Sequence, residues 1–200
     1  MQYGIVENGQ ARAASPRQIE AWVAAAKGDG RSYAYSAIVS WPADELAAMS
    51  IYPIRSEYTA PGPYQYQAGE TYTLEGAEIV RRTVIADFTL EQAKAKATAD
   101  MAAKRYEVET GGVTVNGMPV STDRDSQGLV LGAAFAASMD PAYVVKWKTA
   151  DGFVDLDAAT VIALAQAIRA HVQAAFDREA EVVALIDAAT TVDEVKAIEW

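Results

Sequence analysis

The amino-acid sequence predicts an α+β protein: two small units of antiparallel β-hairpins with packed helices, joined by a helix and ending in a long amphipathic helix. Three observations predict this. Short strand-like runs flank turn signals, most clearly Asn116-Gly117. Helical stretches carry their own start and stop residues, and nowhere does the alternating strand–helix rhythm of a parallel sheet occur. The expected boundaries are a Tyr/Pro-rich α+β unit over 1–88, a connecting helix over 89–110, and a hairpin–helix–hairpin–helix domain over 111–200.

In chain order, Ser15-Pro16-Arg17-Gln18 predicts a helix start, with Ser as N-cap, Pro at the first helical position and Gln closing a capping box. That helix is expected to run to about Lys27 and to end on Gly28-Asp29-Gly30. A second, short helix is expected from Pro42 to about Met49, with Asp44 and Glu45 in the first turn, where the helix dipole favours negative charge. Ile51-Tyr52-Pro53-Ile54 predicts an edge strand, since Pro cannot donate to a ladder. Pro61-Gly62-Pro63 marks a loop, and the runs Tyr72–Leu74 and Ile79–Ile85 flank a hairpin turn at Glu75-Gly76-Ala77-Glu78. Thr89 caps the connecting helix, Leu90 to about Glu107, whose alanines give it a shallow contact face.

In the carboxy-terminal part, Val113–Val115 and Met118–Val120 flank Asn116-Gly117, the dipeptide best suited to a type I′ turn. Thr122 or Asp123 starts a helix to about Met139, which Asp140-Pro141 stops. Val144–Lys148 and Phe153–Leu156 form a second hairpin around Ala150-Asp151-Gly152, and Asp157 caps a helix reaching Asp187. Along it Val161, Leu164, Ile168, Val172, Phe176, Val183 and Ile186 follow the helical period. At a rise of roughly 1.5 Å per residue this rod is roughly 45 Å long, so one end is expected to lie against another copy or another protein. Thr191-Val192-Asp193-Glu194 is a capping box for a last helix ending at Trp200.

The composition bounds the function. Net charge is −10, with most of the excess in residues 105–200, where 15 acidic side chains face 7 basic ones. Such a surface repels phosphate backbones and offers no basic stripe, so nucleic acid is not expected as a partner. No apolar run reaches the length of a membrane span, and MQYGIVENGQ lacks the pattern of a secretory signal. With no Cys, disulfides, thiol nucleophiles and thiolate metal sites are excluded.

His171, the single histidine, sits mid-helix beside the apolar stripe and reads as a solvent-exposed flanking residue rather than a general base. Asp151, Asp155 and Asp157 are the best candidates for a carboxylate metal site. They fail as a calcium loop because Ile162 falls where a bidentate Glu is required. A turn, the wet face of a strand and an N-cap explain the three instead. Neither phosphate-loop glycine pattern occurs, nor a nucleophile elbow, and no Asp/Glu pair is singled out for glycan hydrolysis. Gly128 and Gly132, at GxxxG spacing, are expected at a close helix crossing in the core. No catalytic residue, cofactor or metal site is therefore predicted. Seven of the ten tyrosines lie between Tyr33 and Tyr72. Aromatic rings with polar handles suit sugar or protein recognition, although Tyr also favours strands and packs small sheets. Trp41, Tyr64 and Tyr66 are the candidates for a binding surface.

The runs GGVTVNGMPVSTDRDSQG and WKTADGFVDLDAAT, within the last hundred or so residues, resemble a domain family of unknown function that closes many bacteriophage tail-fibre and tail-tip-associated proteins. More loosely, Tyr3–Gly9, Trp41–Leu46 and Ile51–Pro53 are similar to pieces seen ahead of the same domain. The resemblance implies a virion structural protein of a phage tail, made in the host cytoplasm and seated at the tail tip, baseplate or fibre attachment. Its partners would be other tail proteins and further copies of itself in trimer- or hexamer-related symmetry. The alternatives are a host-surface (glycan) binding module and a tail-fibre assembly chaperone absent from the mature particle.

Overall fold

The chain opens with β1 (Tyr3–Glu7) and β2 (Gln10–Ala13), a hairpin absent from the sequence expectations. Its turn residues Asn8 and Gly9 take φ of 50° and 77°, the left-handed pair that a type I′ turn requires. In this computed structural model, which describes residues 1–149 and 152–200 with the side chain of Thr149 excepted, the chain forms two units, Met1–Phe88 and Thr89–Trp200. The fold class is α+β.

In the first unit, α1 (Pro16–Lys27) starts with the expected capping box, in which Gln18 Oε1 accepts from the Ser15 N–H at 2.8 Å, and it ends on left-handed Gly28. It buries Ile19 and Val23. A one-turn α2 (Tyr35–Ile38) is a further addition to the expected elements, and α3 (Ala43–Ala48) follows Pro42 as expected. Trp22 Nε1 donates to the Met49 carbonyl at 2.7 Å, fixing α1 against the end of α3.

β3 (Ile51–Glu57), β4 (Gln65–Glu75) and β5 (Glu78–Asp87) complete a five-stranded sheet of order β2-β1-β3-β5-β4. Here two expectations are corrected. β3 is the middle strand rather than an edge, and its pairing with β5 is parallel. Pro53 is tolerated because of register. The Ile54 N–H donates to the carbonyl of Gln2, just before β1, and the Val6 N–H donates to that of Ser50, just before β3, so the bonds between the two segments fall on even-numbered positions. Pro53 sits opposite Tyr3 between them, and pairing with β5 begins only at Ile54. No ladder bond needs the missing N–H. The two edge strands, β2 and β4, return to within 8 Å of each other at their Cα atoms, so the sheet curls on itself. Gly4 permits the curl: a Cβ there would lie 2.4 Å from the Arg12 carbonyl oxygen and 2.8 Å from Ile79 Cδ1. Ile5 and Ile51 pack with Ile19, Val23, Ile38 and Leu46 as one core.

In the second unit, α4 (Leu90–Thr110) begins on a Thr89–Gln92 capping box. The helix read from sequence as a connector is part of this unit. β6 (Val113–Val115) and β7 (Met118–Val120) pair around Asn116-Gly117, and α5 (Arg124–Met139) follows. β8 (Val144–Thr149) pairs with β9 (Gly152–Asp157), and α6 (Ala158–Ala188) and α7 (Val192–Lys196) end the unit. The last helix stops four residues short of Trp200, its end closed by the Ala197 N–H turning back on Asp193 and Glu194.

α6 is the spine. Its first half packs Val161, Leu164 and Ile168 with Val130 and Ala137 of α5. Its second half is followed by α4 running antiparallel, through Val108 near His171, Arg105 near Glu179 and Lys94 near Asp187. The rod's far end, expected to need another copy, therefore packs on the chain's own helices. The apolar period is corrected in two places: Val182 is buried in place of Val183, and Ala175 in place of Phe176. The small Ala175 is covered, and the Phe176 ring turns outward under the Arg105 guanidinium, 4.5 Å from ring centre.

Candidate functional site

Two features of the second unit meet beside α5. The first is a buried ion cluster. Arg105 bonds Glu109 on its own helix and, through Nε at 3.0 Å, Glu179 on α6. Glu109 is 3% exposed. Its other oxygen lies 3.6 Å from Arg124 Nε and 3.5 Å from Gln127 Nε2, and that amide also donates to the Thr122 carbonyl at 2.7 Å. Burial is the largest single influence on Arg105 and disfavours its charge, but the bonds from Glu179 and Glu109 outweigh it and raise its pKa. No buried side-chain polar atom among the described residues lacks a partner, so the buried oxygens and nitrogens of the cluster are all bonded. It forms one wall of a groove of about 450 Å³ between α5 and α6, lined also by Leu131, Arg169 and Phe176.

The second feature is the outward face of α5. The cap is strong: the Asp123 carboxylate accepts from the hydroxyls of Ser121 and Ser126, each at 2.6 Å, and from the Ser126 N–H at 2.9 Å. These bonds, that from Ser121 foremost, hold its pKa well below the usual carboxylate range. From Ser126 to Met139 the helix carries no charged side chain. Val130 and Ala137 point to the core, while Leu129, Leu131, Phe135 and Met139 are each 66–68% exposed. Gly128 and Gly132 share that outer side. A Cβ on either would meet no atom within 4 Å, which corrects the expectation that they mark a close crossing in the core. The outer face of α5 is an apolar surface open to solvent.

The aromatic residues expected to bind lie in the first unit. Trp41 is half-buried against the core, 5.5 Å edge-on from Tyr33, with Lys27 Nζ 4.5 Å above its ring. Tyr64 and Tyr66 meet on Phe88, at 6.4 Å and 6.1 Å between ring centres, and Tyr66 is 43% exposed. The structure brings Tyr64 and Tyr66 together, and places Trp41 with the helices instead.

His171, expected on an exposed flank, is corrected: it is half-buried, with Nε2 2.8 Å from the Val108 carbonyl oxygen, and it ties α4 to α6. Asp155 pairs with Lys146 across the hairpin at 2.8 Å, and Asp157 caps α6 through the Thr160 N–H at 2.8 Å. Asp151 lies outside the described residues. Among the described residues no group of three or more His, Asp or Glu is placed to hold a metal ion. No helix among them is long and apolar enough to cross a membrane.

Neither the Arg105–Glu109–Glu179 cluster nor the outer face of α5 was anticipated. The cluster joins residues up to 74 positions apart. The α5 face was there to be read in the uncharged run Ser126–Met139, but apolar residues on all sides of a helix do not tell inside from outside. Residues 92–199 match a family described as Domain of unknown function (DUF4376), a span that takes in the two runs carrying the sequence resemblance. No curated protein and no solved structure matches the chain.

Proposed function

The chain belongs to the DUF4376 family, and from that premise we propose that it is a non-catalytic structural subunit of a bacteriophage tail, acting through protein–protein contacts at the tail tip, baseplate or fibre attachment. The observation that carries the contact function is the outer face of α5, where Leu131, Phe135 and Met139, a turn apart on one side, and Leu129 beside them are each two-thirds exposed along a stretch, Ser126–Met139, that carries no charge. Isolated surface leucines are ordinary, but a contiguous apolar face of this kind on a water-soluble domain marks an interaction surface. The phage setting is supported by the resemblance of GGVTVNGMPVSTDRDSQG and WKTADGFVDLDAAT to domains of tail-associated proteins.

Quantitative mass spectrometry of purified particles of the phage encoding this chain tests the proposal. A few copies per particle, in multiples of three or six, are expected. Absence from particles but presence in the infected-cell lysate would contradict a virion role and favour an assembly chaperone. A glycan-binding role predicts sugar-dependent quenching of tryptophan fluorescence, with Trp41 as the reporter nearest the tyrosine-rich strands in sequence.

A further inference from the structure

Resting on the reading of α5 as a contact surface, we infer that its occupant is α5 of a second copy of this chain, crossed antiparallel about a two-fold axis beside Gly132. Three observations select that occupant. A two-fold contact sets the same patch against itself, so a charged patch repels its own image. Residues 105–200 carry 15 acidic and 7 basic side chains, and Ser126–Met139 is a face free of charge within them. Acid-on-acid repulsion therefore works against self-pairing across the acidic remainder and spares this helix.

The ends of α5 are complementary under the same symmetry. An antiparallel crossing centred on Gly132 sets Arg124 of one copy opposite Asp140 of the other, twice. Arg124 is 64% exposed and reaches Glu109 only at 3.6 Å, and Asp140 is exposed, so a closer pairing between copies can replace that long contact. A parallel alignment would set each residue against itself. At the centre, Gly128 and Gly132 leave open space that admits a second helix backbone at close range, with Leu131, Phe135 and Met139 as flanking ridges. Leu131, Phe135 and Met139, one turn apart along one side, offer roughly 400 Å² per copy, so pairing buries on the order of 800 Å² in total, the size of a weak, transient contact. Area does not set affinity, so the pair is sought across about 1 μM to 100 μM, the range of a weak contact.

Sedimentation equilibrium of the full chain across that range, with Phe135→Asp as the test variant, decides the matter. The wild-type chain is expected to reach twice the chain mass, and the variant to need at least about 100-fold higher concentration, because a carboxylate replaces an aromatic anchor. Phe135 is 66% exposed, so the variant should keep its fold, checked by an unchanged circular dichroism spectrum. The chain has no cysteine, so Gly132→Cys supplies a second readout. It is expected to form an intermolecular disulfide under mild oxidation, whereas Lys104→Cys on the outside of α4 is not. A single-chain mass throughout the range, a three-chain mass, or a dimer indifferent to Phe135→Asp would each overturn the pairing. A monomer found in particles with α5 against another protein would overturn the pairing and leave the proposed function standing. A dimer absent from particles would do the reverse.

Discussion

α4 and α5 flank the same helix, α6, and their inner sides obey the same rule while their outer sides do not. Both turn small or medium apolar residues inward: Ala93 and Ala97 on α4, Val130 and Ala137 on α5. Outward, α4 follows the expectation for a surface helix, with Lys96–Asp100 and Lys104–Glu107 ion pairs at 2.7 Å and 2.9 Å facing water. α5 presents Leu129, Leu131, Phe135 and Met139. Folding this unit requires the inner faces of both helices. It gives no reason for the outer face of α5, which lowers solubility and returns no intramolecular packing. That asymmetry is the basis of the proposed contact function.

The largest effect should come where α4 is tied to its neighbours. Arg105→Ala leaves Glu109 and Glu179 without their shared cation, and stranding a buried charge costs about 3 kcal/mol. The second unit's urea midpoint should fall accordingly, and a change below about 1 kcal/mol would show that Arg124 and Gln127 already satisfy Glu109. Next comes the contrast within α5 itself. Val130→Ala, on the inner side, should cost about 2 kcal/mol in denaturant unfolding through lost packing. Leu131→Ala, one residue away on the outer side, should change the stability of the isolated monomer by less than about 0.5 kcal/mol. Equal costs would mean that the outer face is packed against the chain itself.

A pH experiment sharpens the comparison at the helix starts. α5 is capped by a carboxylate, Asp123, and α4 by a hydroxyl, Thr89. The Asp123 pKa is depressed in the folded chain, so its contribution is fully present above the ordinary carboxylate value of 3.8 and is lost as pH falls through the lower folded value. Backbone amide exchange in the first turn of α5 should therefore rise below about pH 4, while that of α4 responds less. Asp123→Asn should remove most of this pH dependence. The smallest effect should belong to the outer ion pairs of α4: Lys104→Ala should move stability by no more than about 0.5 kcal/mol.

Sequence made local structure legible where a side chain makes its own bond to the backbone. Ser15, Thr89, Asp157 and Thr191 each start the helix expected of them, and of Thr122 and Asp123 it is Asp123 that starts α5, because capping is decided within four residues. Asn116-Gly117 likewise sets its turn, and Asn8-Gly9 offered the same signal for the first hairpin. What depends on distant partners was hidden. Pro53 alone suggested an edge strand, since nothing nearby in sequence shows that β5 begins pairing one residue later. His171 looked exposed because its partner, Val108, is 63 positions away. The apolar period of α6 slipped at Phe176 and Val183, where α4 determines which side of the helix is covered. In α5, Leu129, Val130 and Leu131 are consecutive apolar residues, and a helix apolar on every side has no period to read. The same lack of amphipathic pattern that concealed its outer face from sequence reasoning is what makes that face unusual.

The most direct test is hydrogen–deuterium exchange of the full chain at two concentrations, comparing the peptide covering Ser126–Met139 with one from the outer turn of α4 around Lys96–Glu107. Protection across α5 is expected to rise with protein concentration and to lose that dependence in Phe135→Asp, while α4 stays constant in both. If protection across α5 is as independent of concentration as that of α4, the outer face of α5 has no second copy upon it.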